Sequence, residues 1–210
     1  VLPPGATQSV IPGNISEFVV DVQGPADSIW ECKFDALVDL LETTSISEQE
    51  AIVFVNSNKL ADWIVSMFER HDELRWLAEI STRDLGAFRR GTATGKRLLV
   101  TTDRDARGID VQGLRTVLNF ELPLADSPES YVQRVGRCGR FGRKGVAVSL
   151  ASAGSPEDQR ALRTVCRRYR AGLDLPALPG ADKLHEILGS SAGAHNSRNT
   201  ATCVLDTNHH

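Results

Sequence analysis

The chain has 210 residues, 41% hydrophobic and 24% charged, the balance of an ordinary soluble globular domain with tails. Its 24 Lys and Arg against 27 Asp and Glu leave a net charge of −3, so any nucleic-acid surface must be a local patch and not a global field. No apolar run is long enough to cross a membrane, no signal peptide opens the chain, and Cys32, Cys138, Cys166 and Cys203 are too widely spaced for a zinc cluster or a disulfide framework. A reducing compartment follows from that cysteine usage.

Residues 1–14 hold three prolines and two glycines and read as a linker. Phe18-Val-Val-Asp-Val22 alternates as a strand does, and residues 30–41 place apolar side chains at 30, 34, 37, 38 and 41, a helical stripe. Ala51-Ile-Val-Phe-Val55 is a continuous apolar run, the mark of a strand buried on both faces. Residues 58–69 are helical again, with Leu60, Ile64 and Phe68 on one side. Residues 97–101, 116–120 and 146–150 are further buried strands. Strands alternating with helices predict an open parallel α/β sheet, whose ligands bind beyond the C-terminal ends of the strands. Asn56-Ser57, Thr101-Thr102-Asp103 and the loop after Phe120 fall there. Residues 157–170 form a helix with Arg160, Arg163, Arg167, Arg168 and Arg170, either a solvated face or one that also steers RNA. From residue 189 onward the Ser-, Gly-, Asn- and Thr-rich composition predicts a disordered tail.

The densest chemistry lies in Arg134-Val-Gly-Arg137-Cys-Gly-Arg140-Phe-Gly-Arg143-Lys144. Four arginines recur every third residue, and three interleaved glycines would weaken a helix by about 1 kcal/mol each. Such a run is either a solvated basic loop or a backbone that comes close to a polyphosphate while guanidinium forks grip its oxygens. Its place between the helical residues 128–135 and the strand-like residues 145–150 favours the anion site. The run Thr101-Thr102-Asp103-Arg104-Asp105-Ala106-Arg107-Gly108-Ile109-Asp110 follows a buried strand directly. It suits a phosphate backbone and ribose hydroxyls, or equally a loop that pairs with itself and caps the next element. Gly91-Thr-Ala-Thr-Gly95-Lys96 is not a P-loop: three residues, not four, separate its glycines, and Arg97 follows the lysine. It reads as a turn. Cys138, flanked by arginines, is the one cysteine for which a depressed thiol pKa is expected.

Taken in order, Val53-Phe-Val-Asn-Ser57, Thr101-Thr-Asp with Ala106-Arg-Gly-Ile-Asp110, and Tyr131-Val-Gln-Arg-Val-Gly-Arg-Cys-Gly-Arg140 resemble motifs IV, V and VI of the DEAD-box RNA helicases. The resemblance covers residues 15–188. It is strongest to the translation-initiation-factor branch, through Arg140-Phe-Gly-Arg-Lys-Gly-Val-Ala147 and Leu122-Pro123. It implies the second RecA-like domain of a two-domain ATPase, with ATP between this domain and an N-terminal RecA-like domain that holds most of the Mg2+ ligands. By the same resemblance Arg137 and Arg140 reach the phosphates, one as an arginine finger. Gly108 and Asp110 serve the nucleotide, Asp110 at the ribose. Thr102, Asn56, Ser57, Lys59 and Arg83 hold the backbone of single-stranded or duplex RNA without reading bases. A helical-repeat scaffold protein is a further implied partner, no membrane is, and the compartment is cytoplasmic or nuclear.

The sequence departs from the family pattern at several places. Gln133 stands where motif VI usually begins with His. Ala78-Glu-Ile-Ser81 replaces a His-Gly turn, and the Gln-x-x-Arg motif that follows keeps only Arg83. Arg104 and Asp105 occupy positions that are usually apolar or small. These changes support a second reading, a divergent paralogue that clamps RNA or docks on a scaffold with weak unwinding.

Overall fold

Short β-branched and aliphatic runs pair into one sheet, and the glycines and prolines between them set its turns. The computed structural model describes residues 11–43, 50–71, 78–80, 98–107, 114–170 and 172–188. Its strands are β1 (Ile15–Asp21), β2 (Ala51–Val55), β3 (Ala78–Ile80), β4 (Leu98–Thr102), β5 (Thr116–Asn119) and β6 (Gly145–Ala151). They form a six-stranded sheet in the order β1-β6-β5-β2-β4-β3, with every neighbouring pair parallel. The helices are α1 (Ile29–Thr43), α2 (Asn58–Arg70), α3 (Glu129–Val135), α4 (Pro156–Tyr169) and α5 (Ala181–Leu188). The open parallel α/β sheet anticipated from the alternation is therefore present.

Side-chain alternation along each strand divides the core into two layers. From β2, Ala51, Val53 and Val55 join Phe34, Leu37 and Leu41 of α1, Leu60, Ile64 and Phe68 of α2, and Leu184 of α5. Ile52 and Phe54 point the other way, to Tyr131 and Val135 of α3 and Ala161 and Val165 of α4. Every residue of β2, β4, β5 and β6 is buried, as continuous apolar strands covered on both faces must be. Among the described residues no helix is long and apolar enough to cross a membrane.

Two elements escape the sequence reading. β3 is three residues, Ala-Glu-Ile, too short to show a period. α5 carries its apolar positions in only two turns. β4 runs from Leu98 to Thr102, so Thr102 is its last residue and stands at the C-terminal rim. Residues 11–14, the end of the stretch read as linker, lie against the domain: Ile11 is buried, and the Asn14 side chain donates to the carbonyls of Gly139 and Arg143.

At the C-terminal end of β6 a buried ion pair joins the two helix layers. Lys33 of α1 lies 2.8 Å from Asp158 in the first turn of α4, with side chains only 4% and 11% exposed. The same carboxylate accepts the Ser152 amide at 2.9 Å, and Ser155 caps α4 by accepting from Asp158 N. Removing one partner of a buried pair leaves an uncompensated charge. Lys33→Met is therefore expected to lower stability by about 3 kcal/mol. The double variant Lys33→Met/Asp158→Leu should recover part of that loss. Urea denaturation of the four species checks both.

Candidate nucleotide and nucleic-acid site

Arg134, on α3, has a side chain with no exposed surface. Its Nε and Nη2 donate to the two oxygens of Asp103 at 2.7 Å each, a bidentate fork. Nη2 also donates to Asn56 Oδ1 at 2.8 Å, and Nη1 to the Glu121 carbonyl at 2.7 Å. The guanidinium carbon stands 5.1 Å from the Phe54 ring centroid. One side chain thus ties together the ends of β2, β4 and β5. Arg134, expected with the other arginines of its run to grip a polyphosphate, instead spends its donors inside the protein. Its signal was the lack of any exposed-loop context: it lies on the helix, one residue from the buried Val135.

Above this hub lies an open cleft of about 520 Å³, lined by Asn56, Ser57, Asn58, Thr102, Asp103, Arg104, Arg107, Pro123, Leu124, Ser127 and Ser130. The three polar clusters that the topology assigned to the strand ends meet there. Ser57 is exposed and caps α2 by accepting from Leu60 N at 3.2 Å, which leaves its hydroxyl proton for a ligand. Asn56 turns its amide away from the cleft: its oxygen accepts from Arg134 and its Nδ2 donates to the Leu122 carbonyl at 2.9 Å. Thr102 donates its hydroxyl to Asp105 at 2.8 Å. This run therefore pairs with itself through Asp105, which also stands 3.7 Å from Arg104, and faces the cleft as well. Arg104 and Arg107 are exposed at the cleft wall and add the positive charge that motif reading had not assigned there. Lys59 is exposed on the first turn of α2, outside the cleft lining.

Arg137 and Arg140 follow the C-terminal end of α3, in the turn that leads into β6, and line no part of the cleft. Both are half-buried, and Arg140 Nε donates to the Gly136 carbonyl at 3.3 Å. The turn is built from left-handed residues: Gly139 (φ 68°), Phe141 (φ 58°) and Gly142 (φ 74°). A Cβ on Gly145 would stand 2.6 Å from Gly139 N, so only glycine lets the two backbone segments cross. Phe141 is a bulky residue in a conformation that favours glycine, and its ring is 76% exposed. Gln133 is exposed on α3. Gly108, Asp110, Arg83 and the turn at 91–96 lie outside the described residues.

Cys138 corrects an expectation. Its neighbours in sequence are arginines, but the side chain is buried and donates to the Val135 carbonyl at 3.2 Å. Burial pushes its thiol pKa from the ordinary 9.0 up to about 12. Desolvation is the largest cause, and no neighbouring arginine offsets it. Cys32 and Cys166 are likewise buried free thiols.

Residues 32–142 match the family described as Helicase conserved C-terminal domain, and the chain belongs to that family. Within it the relatives are DEAD-box RNA helicases near the initiation-factor-4A branch. Eukaryotic initiation factor 4A-3 of Arabidopsis thaliana is 38% identical over 162 residues, 74% of this chain and 36% of that protein. The chain thus spans about a third of the length of such relatives. The C-terminal domain of the DEAD-box protein Dbp5 superposes with a TM-score of 0.62 at 28% identity, covering 84% of this chain and 97% of that one. S. cerevisiae Dbp5 bound to RNA and ADP BeF3 gives 0.67 at 25% identity, covering 87% and 47%.

A raised thiol pKa makes the folded state hold its proton where the unfolded chain has lost it. Stability from Cys138 is thus complete below pH 9.0 and is lost as pH rises toward about 12. Alkylation of native Cys138 is expected to be negligible near neutral pH and rapid once the chain is unfolded, as mass spectrometry after iodoacetamide treatment would show.

Proposed function

We propose that this chain is the C-terminal RecA-like half of an ATP-dependent RNA helicase. In this reading it supplies an arginine finger and ribose contacts to an interdomain ATP site and grips the RNA backbone in the cleft. The observation that carries the proposal is the buried Arg134, which fixes Asp103 and Asn56 under the cleft at one end of α3. The Arg137–Arg140 turn follows directly, beginning three residues after Arg134 at the C-terminal end of the same short helix.

The turn fits a triphosphate. Its left-handed glycines bring the backbone close without side chains in the way, and the two half-buried arginines need little ordering to reach an anion. Arg137 and Arg140 bind phosphate oxygens from this side, and one of them stabilises the charge that develops during phosphoryl transfer. Gly108 and Asp110 serve the ribose side of the nucleotide. The exposed Phe141 ring offers a stacking face beside the arginines. Bound ATP supplies the hydrolysable bond whose cleavage resets the closed state. By the family resemblance, the Mg2+ is assigned mainly to the N-terminal RecA-like domain.

In the cleft, Ser57, Thr102, Ser127 and Ser130 offer hydroxyl donors, while Arg104 and Arg107 supply charge. Lys59 and Arg83 extend that set along the strand. These groups recognise phosphate and sugar and give no base readout. Asn56 acts through Arg134 and is a positioning residue. Asp105 opposes RNA: it occupies the Thr102 hydroxyl and brings a carboxylate to the rim. That opposition favours a weakened grip and keeps the clamp-like paralogue as the second reading.

In the complete two-domain protein, Arg140→Ala is expected to lower RNA-stimulated ATP turnover by on the order of 10³ with RNA binding retained. Turnover indifferent to Arg140 overturns the assignment, and the 210-residue chain alone should show no ATPase activity. Asp105→Ala should tighten RNA binding. The double variant Arg104→Ala/Arg107→Ala should weaken it equally for all sequences and flatten the slope of log affinity against log salt by about 1.4. Fluorescence anisotropy across a salt series reads both.

A further inference from the structure

The outer face of α4 carries four arginines that the cleft and the arginine turn do not use. Arg160, Arg163 and Arg167 recur at i, i+3 and i+7 and so share one helical face, with Arg168 beside them. All four are exposed, and their guanidinium groups make no ion pair with any described residue. The opposite face buries Ala161, Val165 and Cys166. Arg170, one turn further on, is different: it is committed to Glu17 at 3.0 Å.

Such a stripe costs the helix stability. Like charges at i,i+3 and i,i+4 repel by a few tenths of a kcal/mol per pair, and no acid is interleaved to offset them. It stands on a chain whose net charge is −3. Of the acids nearest its N-terminal end, Asp158 is held by Lys33 and the Glu121 carboxylate accepts the Asn56 amide at 2.7 Å, while Glu157 stays exposed beside Arg160 at the groove and accepts from the Ser155 hydroxyl at 3.4 Å.

The stripe begins at the cleft. Arg160 lines an adjoining groove of about 390 Å³ that shares Asn56, Pro123 and Leu124 with the cleft wall. We propose that the α4 stripe is a second nucleic-acid contact, which holds the phosphate backbone of an RNA strand after it leaves the cleft. This rests on the RNA reading of the cleft. Asp126 and Glu157 line the groove and keep the strand from sinking into it. The strand bridges over Leu124, whose side chain is 61% exposed, and is engaged again at Arg160, Arg163 and Arg167. These contacts carry charge and no sequence preference, so they lengthen the footprint and steepen its salt dependence without altering base choice.

The test compares the chain with its Arg160→Gln/Arg163→Gln/Arg167→Gln variant. Anisotropy titrations across a salt series would use oligouridylates of about 6 and about 20 nucleotides. With the longer strand the triple variant should show a slope shallower by about 2, and the single variant Arg163→Gln one shallower by about 0.7. The shorter strand should be bound alike by all three. Arg→Lys at the same positions should keep the slope. An unchanged slope on the longer strand overturns the proposal and leaves the stripe to an acidic protein surface. Equal losses on both lengths overturn it too, because the stripe would then not be a separate contact. If the parent chain ignores the shorter strand, the cleft reading fails, while the longer strand still reports on the stripe.

Discussion

A guanidinium shut away from water is tolerable only when its donors are met, and Arg134 meets that condition with a bidentate carboxylate, an amide oxygen and a main-chain carbonyl. Each partner belongs to a different strand end. The ends of parallel strands have no ladder of their own to hold them, since the peptide groups beyond the last residue pair need other partners. Arg134 meets one such group, the Glu121 carbonyl beyond β5, and holds the side chains that follow β2 and β4. The cleft has a fixed floor for that reason, and Asn56 and Asp103 line it with side chains already bound to Arg134.

The turn just beyond α3 obeys an opposite logic. There the chain accepts strain, with a phenylalanine in the left-handed region between two glycines in the same region. A turn this tight presents its arginines on a backbone that has already lost its freedom, so less entropy remains to be given up when an anion is bound. Only Val135 and Gly136 lie between Arg134 and Arg137, so the satisfied hub and the strained turn are adjacent in the chain. A shift in either must be felt by the other, because so short a connection leaves no slack.

The sheet was legible because its central strands are apolar without interruption, and a residue pattern of that kind has few other uses. Ala51–Val55 shows this best. β3 was not legible: three residues carry no period, and their pairing with β4 is set by the sheet. In the site, the convergence of Ser57, Thr102 and the loop after Phe120 followed from topology alone. The hydrogen-bond commitments did not. Nothing in the order of residues says that Thr102 gives its proton to Asp105, or that Cys138 turns from its arginine neighbours into the core. Local charge in a sequence is a poor guide to the field at an atom when burial decides the dielectric.

The first strand of this domain pairs with its last, Ile15 with Gly145 through Asp21 with Ala151. Asn14, just before that strand, is also what pins the carbonyls of Gly139 and Arg143. During synthesis the segment around residue 15 therefore waits for about 130 residues before its partner exists, a long loop to close. The arginine turn is shaped by the same late event, so a nascent chain carries these arginines long before it has the geometry to use them. Folding order thus keeps an unfinished domain from acting as a finished one.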